Sequence, residues 1–308
     1  MEVKDVTKIF KKNPRQSITA VDRVTLSVQE EENIGIIGES GSGKTTLGKI
    51  MVGLLAPDSG RIIYMNEDVT KGNGRKLKTF RKEVQMIFQD PYSSLDPKMT
   101  VHHLLSDFMR INGKKPTQES LSKFLEMVSL DESLLDKYPS NLSGGQRQRV
   151  AIARVLTLQP KLVIADEPVS SLDVSVRSQI LQLLNDLRLN SHITFVYITH
   201  DISSLPFVAE RVIVMYRGSI VEISEIKKII TDPLHPYTKG LLAAVPDYGK
   251  DLTKVGEHII QTADIDDVSL GGCKFYSRCA YSMERCKTTE PLLKVVEGGR
   301  QVACHLYD

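Results

Sequence analysis

The apolar positions of this chain fall into two rhythms. Met1–Phe10 and Ala20–Val28 alternate apolar with polar residues, which predicts two antiparallel strands around the polar, proline-bearing stretch KKNPRQS. Ile34–Ile37 is continuously apolar and short, a strand; Leu47, Ile50, Met51 and Leu54 then recur at helical spacing, up to a stop near Leu55 at APDSG. Strands are expected at Arg61–Met65 and Val84–Phe88, with a polar, Gly-rich surface loop at Thr70–Lys78. From Val101 to about Thr157 the rhythm is helical: Val101, Leu104, Leu105, Phe108 and Met109, then Leu121, Phe124, Leu125 and Val128. Lys161–Glu167 is a strand apolar on both faces, the pattern of a covered parallel sheet. A helix carrying Ile180, Leu183, Leu184 and Leu187 leads to a further strand, Ile193–Thr199. Arg211–Tyr216 and Ser219–Ile223 read as a hairpin around Arg217-Gly218, followed by a short helix, Glu225–Ile230.

Composition narrows the class. A length of 308 residues suggests one large or two ordinary domains. Hydrophobic residues at 41% and charged residues at 25% are those of a soluble globular protein. The net charge of +2 gives no electrostatic case for a nucleic-acid-binding surface. No apolar run approaches the roughly 20 residues that span a bilayer, and the start, MEVKDVTKIFKK, has no secretory h-region. The expectation is a cytoplasmic chain that is free to dock on membrane subunits.

Between the first apolar strand and its helix lies GESGSGKT, Gly38–Thr45. In the context strand, loop, helix, the spacing G-x-x-x-x-G-K-[ST] is a phosphate site. Gly38, Gly41 and Gly43 let backbone N–H groups turn inward where a Cβ would obstruct, and the helix start adds its unpaired donors. Lys44 reaches the β- and γ-phosphates, and the Thr45 hydroxyl takes a place on Mg²⁺. Ser40 and Thr46 belong to the same cradle.

A second bare helix start follows at Tyr138–Val150, YPSNLSGGQRQRV, where a Ser-Gly-Gly turn opens a helix that buries Val150, Ala153 and Leu156. It reads either as a second anion site or as a Ser-capped helix start. Two such starts in one chain suggest that two copies clamp one triphosphate between them. The strand LVIADE ends in Asp166, placed to hold Mg²⁺, and Glu167, placed to polarise an attacking water as general base. His200 ends the next strand, on the edge where α/β sheets keep their sites. His102 and His103 read as surface or capping residues.

GESGSGKT, Gln89, LSGGQ at Leu142–Gln146, LVIADE, SSLD and His200 stand in an order that resembles the ATP-binding-cassette ATPase family over about the first 225 residues. The resemblance implies a RecA-like α/β core with an antiparallel β element and an inserted helical subdomain at about 92–160. It implies that Phe10 stacks on adenine, although its spacing alone favours a core aromatic. It implies that Gln89 senses Mg²⁺ and the attacking water, and that Ser143, Gly144, Gly145 and Gln146 form the signature that takes the γ-phosphate held by an opposite subunit. Asp173 would link the two sites, and His200 would contact the γ-phosphate. FQDPYSSLDPKMTV, VSSLDVSVRSQIL and DPLHPYTKGLLAAVP at Asp232–Pro246 look like the peptide-importer group, and the first of these looks like the second of its two ATPase subunits. Nickel and other small-solute importers share these features. The expected arrangement is a nucleotide-binding domain at 1–230 and an extension at 231–308, on the cytoplasmic face of the membrane. The expected partners are two transmembrane permease subunits, a second ATPase subunit paired head-to-tail as a heterodimer, and, indirectly, an extracytoplasmic solute-binding protein. Nucleic acid is not among them: cassettes that act there usually carry two cassettes or a coiled-coil insert.

Cys273, Cys279, Cys286 and Cys304 are the four cysteines, spaced C-x5-C-x6-C-x17-C within the last 36 residues. Four thiolates fit a tetrahedral zinc site or an iron–sulfur cluster. The lack of C-x2-C knuckles favours a four-iron, four-sulfur cluster, which some members of the peptide-importer group carry at a matching place. Arg278 and Arg285 either offset the charge of such a cluster or lie on a solvated surface.

Overall fold

The computed structural model describes residues 1–13, 16–71, 74–245 and 271–308. Pro14 of the first polar turn, Gly72 and Asn73 of the Thr70–Lys78 stretch, and Pro246 lie outside these. Strands β1 (Glu2–Asn13) and β2 (Gln16–Ser27) lead into β3 (Ile34–Ile37) and helix α1 (Lys44–Met51). Strands β4 (Ser59–Tyr64) and β5 (Glu67–Asp68) join the first pair in an antiparallel sheet of order β2-β1-β4-β5. Helix α1 stops earlier than its apolar spacing suggests, and Leu54 is 61% exposed.

The expected surface loop at Thr70–Lys78 needs correction, because α2 (Arg75–Glu83) begins inside it. This helix is strongly cationic and hangs on one buried residue, Phe80, which meets Tyr64 edge-on at 5.4 Å between ring centroids. One anchor produces no apolar period, so the sequence pattern does not reveal it.

Strand β6 (Val84–Ile87) enters the second sheet, and the chain then runs through α3 (Pro91–Ser94), α4 (Val101–Ile111), α5 (Gln118–Met127) and α6 (Gly144–Leu156). Thr100 caps α4 through the His103 N–H, and its hydroxyl also meets His103 Nδ1 at 2.8 Å, so His103 belongs to the cap. The chain goes on through β7 (Leu162–Asp166), α7 (Val174–Ser191), β8 (Thr194–Thr199), β9 (Arg211–Tyr216) and β10 (Ser219–Glu225). The chain continues through α8 (Ile226–Thr231), α9 (Pro236–Ala243), α10 (Glu284–Thr288), β11 (Lys294–Val295) and β12 (Gln301–Val302).

The second sheet has the order β11-β12-β10-β9-β3-β8-β7-β6. From β9 through β6 its pairs are parallel, and β10, β12 and β11 extend it antiparallel. Ile34 and Ile36 of β3 join the apolar core shared with the antiparallel sheet, whereas Ile37 faces the helical side. Both faces are covered, which is why β3, β7 and β8 are apolar at every position or nearly so. Burying each such Ile or Val stabilises the sheet by about 1.5–3 kcal/mol. The parallel register sets the carboxyl ends of β3, β6, β7 and β8 on one edge, which fixes where the site is.

Candidate functional site

A cavity of about 760 Å³ opens on that edge. The loop 38–43 forms its floor. Gly38 has φ +154 and a Cβ there would lie 2.2 Å from the Met215 carbonyl oxygen; at Gly43, φ is +103 and a Cβ would lie 2.0 Å from the Ala20 carbonyl oxygen. The loop is thus pressed against β9 and β2, and only glycine allows the approach. Gly41 and Ser40 line the cavity, with Thr45 and Thr46 from the first turn of α1.

Lys44 is buried, and its Nζ donates to the Gly38 and Glu39 carbonyls at 2.7 and 2.9 Å. Burial lowers its pKa, while Glu167, Asp166 and Glu39 pull it back up. A bound polyanion would favour the charged form further. Asp166 at the end of β7 is 2% exposed and accepts a hydrogen bond from Thr45 Oγ1 at 3.0 Å. Burial raises its pKa, and the Thr45 bond opposes that. A hydroxyl and a carboxylate in contact beside a phosphate loop fit a magnesium ion, which takes hard oxygen donors.

Glu167 follows with φ +45, outside the usual region for a side chain of its size. Its N–H donates to Ile198 O at 2.8 Å, so the turn is fixed to β8. Gln89 Nε2 donates to one carboxylate oxygen at 3.0 Å, and His200 Nδ1 lies 3.0 Å from the other. An ionised carboxylate only accepts, so His200 carries its proton on Nδ1 in that state. Three elements thus converge on one carboxylate at the cavity wall, and all three residues line it. Phe10, 43% exposed on β1, also lines the cavity.

The signature segment is placed elsewhere. Ser143 caps α6: its Oγ accepts from the Gln146 N–H at 3.2 Å, and Gln146 Oε1 accepts from the Ser143 N–H at 2.9 Å. The Ser-capped reading of this helix start is the one observed. Gly144 and Gly145 sit against Leu172 and Val176, at the start of α7, where Asp173 is exposed at the N-cap without a side-chain capping bond. None of these residues lines the cavity.

Three cavity residues escaped the sequence reading: Ala20, Glu39 and Leu241. Leu241 comes from α9, some two hundred residues after the loop it faces, and local periodicity cannot report that. Of the two readings for Arg278 and Arg285, the solvated surface fits Arg285, which is exposed, and neither fits Arg278, which is largely covered. Arg278 pairs with Glu39 at 2.9 Å and Arg285 with Asp308 at 2.8 Å, so both guanidinium charges are already met by carboxylates.

All four cysteines line one small cavity together with His235 and Phe275. The space between them is about 10 Å³, no more than one water needs. Burial pushes the Cys273 thiol up to about 12, Cys279 up to about 11, and Cys304 in the same direction. Among the described residues, no group of three or more His, Cys, Asp or Glu side chains is set to hold a metal ion. The packed thiols therefore do not support the zinc site or the cluster as they stand.

A family model described as "ABC transporter" matches residues 21–170, and one described as "Oligopeptide/dipeptide transporter, C-terminal region" matches residues 221–286. The putative oligopeptide transport ATP-binding protein YkfD of Bacillus subtilis (strain 168) is 38% identical over 100% of this chain and 95% of its own length. The chain belongs to the ABC transporter ATPases of the oligopeptide/dipeptide group. The oligopeptide transport ATP-binding protein AppF of the same organism is 37% identical to this ABC ATPase, over 100% of this chain and 97% of AppF. Its fold matches the dimeric post-hydrolysis state of the ATP-binding cassette MJ0796 bound to ADP and Pi, at TM-score 0.66 and 31% identity, covering 73% of this chain and 98% of that one. The P-loop cassette fold expected from the motifs is therefore the fold observed. No described helix of this ABC ATPase is long and apolar enough to cross a membrane.

Proposed function

We propose that this ABC ATPase hydrolyses ATP to drive peptide import through two transmembrane permease subunits. One observation carries the reading: Lys44, Thr45 and the Gln89–Glu167–His200 cluster line a single cavity at the carboxyl ends of the parallel strands, with buried Asp166 hydrogen-bonded to Thr45 behind it. In this proposal Gly38, Ser40, Gly41, Gly43, Lys44, Thr45 and Thr46 cradle the phosphates and Phe10 stacks on the base. Thr45, Gln89 and Asp166 would hold Mg²⁺, which would neutralise charge on the phosphates. Glu167 orients the water, and Gln89 and His200 hold its carboxylate in place. Because the signature residues 143–146 and Asp173 lie off their own cavity, they are assigned to the nucleotide of a second ATPase subunit facing head-to-tail. Binding closes the pair, and hydrolysis reopens it.

The match of residues 221–286 to the oligopeptide/dipeptide C-terminal region supports peptides as the solute. It also supports dividing the chain into a nucleotide-binding domain, 1–230, and an extension, 231–308. The pairing is read as a heterodimer at the cytoplasmic face, served by an extracytoplasmic solute-binding protein. Reconstituting the purified transporter in vesicles tests this: ATP-dependent uptake of labelled di- and oligopeptides is expected. Uptake of nickel without peptide overturns the solute, and co-purification with RNA or DNA in place of permeases overturns transport.

For the cysteines we infer an iron–sulfur cluster rather than zinc from their number and their spacing without C-x2-C knuckles, and their lining of one cavity is compatible with that reading. Loading it would require the thiols to spread and lose their protons. Iron and acid-labile sulfide in anaerobically purified protein are expected; one zinc per chain, or no metal, overturns the cluster.

A further inference from the structure

The C-terminal extension holds the phosphate loop at two points and lines its cavity at a third. The Arg278 guanidinium donates to both carboxylate oxygens of Glu39, each at 2.9 Å. The Tyr237 hydroxyl accepts the Glu39 N–H at 2.8 Å. Leu241, one helical turn after Tyr237, lines the nucleotide cavity itself. Arg278 is held in turn: its guanidinium lies 5.7 Å from the ring centroids of both Tyr216 and Phe275, and Tyr237 packs 4.6 Å from Tyr216 and 5.5 Å from Phe275. Tyr237 and Phe275 are almost wholly buried.

Glu39 is an awkward residue for its place. It is the second residue of a loop built to attract phosphate, and it lines the cavity that the proposed function assigns to a triphosphate. An uncompensated carboxylate there repels the ligand that Lys44 attracts. Its backbone matters as well, since its carbonyl accepts from Lys44 Nζ. A fork-to-fork pair with arginine cancels the charge and fixes the residue in one geometry.

We infer that Arg278 is a positioning residue for nucleotide binding: the extension neutralises Glu39 and pins the entry to the phosphate loop through Arg278 and Tyr237. The inference rests on the nucleotide reading of the cavity. It makes the extension part of the nucleotide site in the same chain.

Titration of the full-length chain with ATP, ADP and AMP tests it. Arg278→Met is expected to weaken ATP binding about tenfold, with the loss shrinking from ATP to ADP to AMP as ligand charge falls. Arg278→Lys, which keeps the charge but loses the fork, is expected to lie between. The deciding variant combines Arg278→Met with Glu39→Gln. With no carboxylate to expose, it should bind ATP as tightly as Glu39→Gln alone. Circular dichroism and thermal unfolding establish that each variant is folded. A folded Arg278→Met chain that binds ATP as the unaltered chain does, or equal losses for all three nucleotides with no rescue by Glu39→Gln, overturns the inference. Failure of the unaltered chain to bind any nucleotide overturns the nucleotide reading itself.

Discussion

The Gln89 side-chain amide donates to the Glu167 carboxylate at 3.0 Å, joining residues 78 positions apart in the chain. Gln89 stands just past β6 and Glu167 just past β7, so the bond spans the gap between neighbouring parallel strands. Glu167→Gln removes the charge that polarises water but keeps the shape. It is expected to leave ATP binding intact and lower phosphate release about 10²- to 10⁴-fold. Undiminished phosphate release would take Glu167 out of the role.

Lys44 is the buried cation of the loop, held by two loop carbonyls. Lys44→Met is expected to weaken ATP binding about ten- to hundredfold, because charge-assisted bonds to phosphate are lost. Equilibrium titration with a fluorescent nucleotide checks this, and an affinity unchanged within error removes Lys44 from the phosphate site.

What the sequence carried well is what is local. GESGSGKT sits between an apolar strand and a helix start, and LVIADE is an uninterrupted buried strand; both are written in contiguous residues, and β3, α1 and β7 follow. The placing of Glu167 and His200 on one edge was legible because each ends a parallel strand, whereas Gln89 entered the site only through the family resemblance. Helix α2 was not legible, since Phe80 is its one deep anchor and most of the rest is charged. The Arg278–Glu39 pair was not either: 239 residues separate its halves, and neither has a neighbour pattern that marks it. Strands β11 and β12 are two residues each, too short for any alternation to register.

Gly145 is the second residue after the serine that caps α6, and a Cβ there would lie 2.6 Å from Val176 Cγ1 on α7. Gly145→Ala is therefore expected to destabilise the chain by about 1–3 kcal/mol through overpacking. Adding Val176→Ala should restore part of it. Urea unfolding measures both, and a Gly145→Ala midpoint equal to that of the unaltered chain would show that the two helix starts are free to part.

Glu32 anchors the end of the β2 connection. Arg211 Nε and Nη2 donate to its two carboxylate oxygens at 2.6 and 3.0 Å, and Arg211 Nη2 also donates to Ser27 O at 2.6 Å. Burial alone would raise the Glu32 pKa, but Arg211 and the Gln29 N–H together lower it. A depressed folded-state pKa contributes stability above the unfolded value of 4.5 and loses it as pH falls through the folded value. Glu32→Gln should accordingly flatten the fall of melting temperature below about pH 4.5. Parallel melting curves for the two chains in that acid range would refute the linkage.

The pairing of β12 with β10 has a consequence for how the molecule meets other copies of itself. Val302 lies opposite Glu222 and Gln301 opposite Ile223, so the tail covers a strand whose backbone donors would otherwise face outward. The sheet then finishes in β11, two exposed residues that include Lys294, which is a poor template for an incoming strand. Trimming the tail back past Gln301 would bare a longer, apolar rim, and the trimmed chains would adhere to one another rather than stay apart in solution.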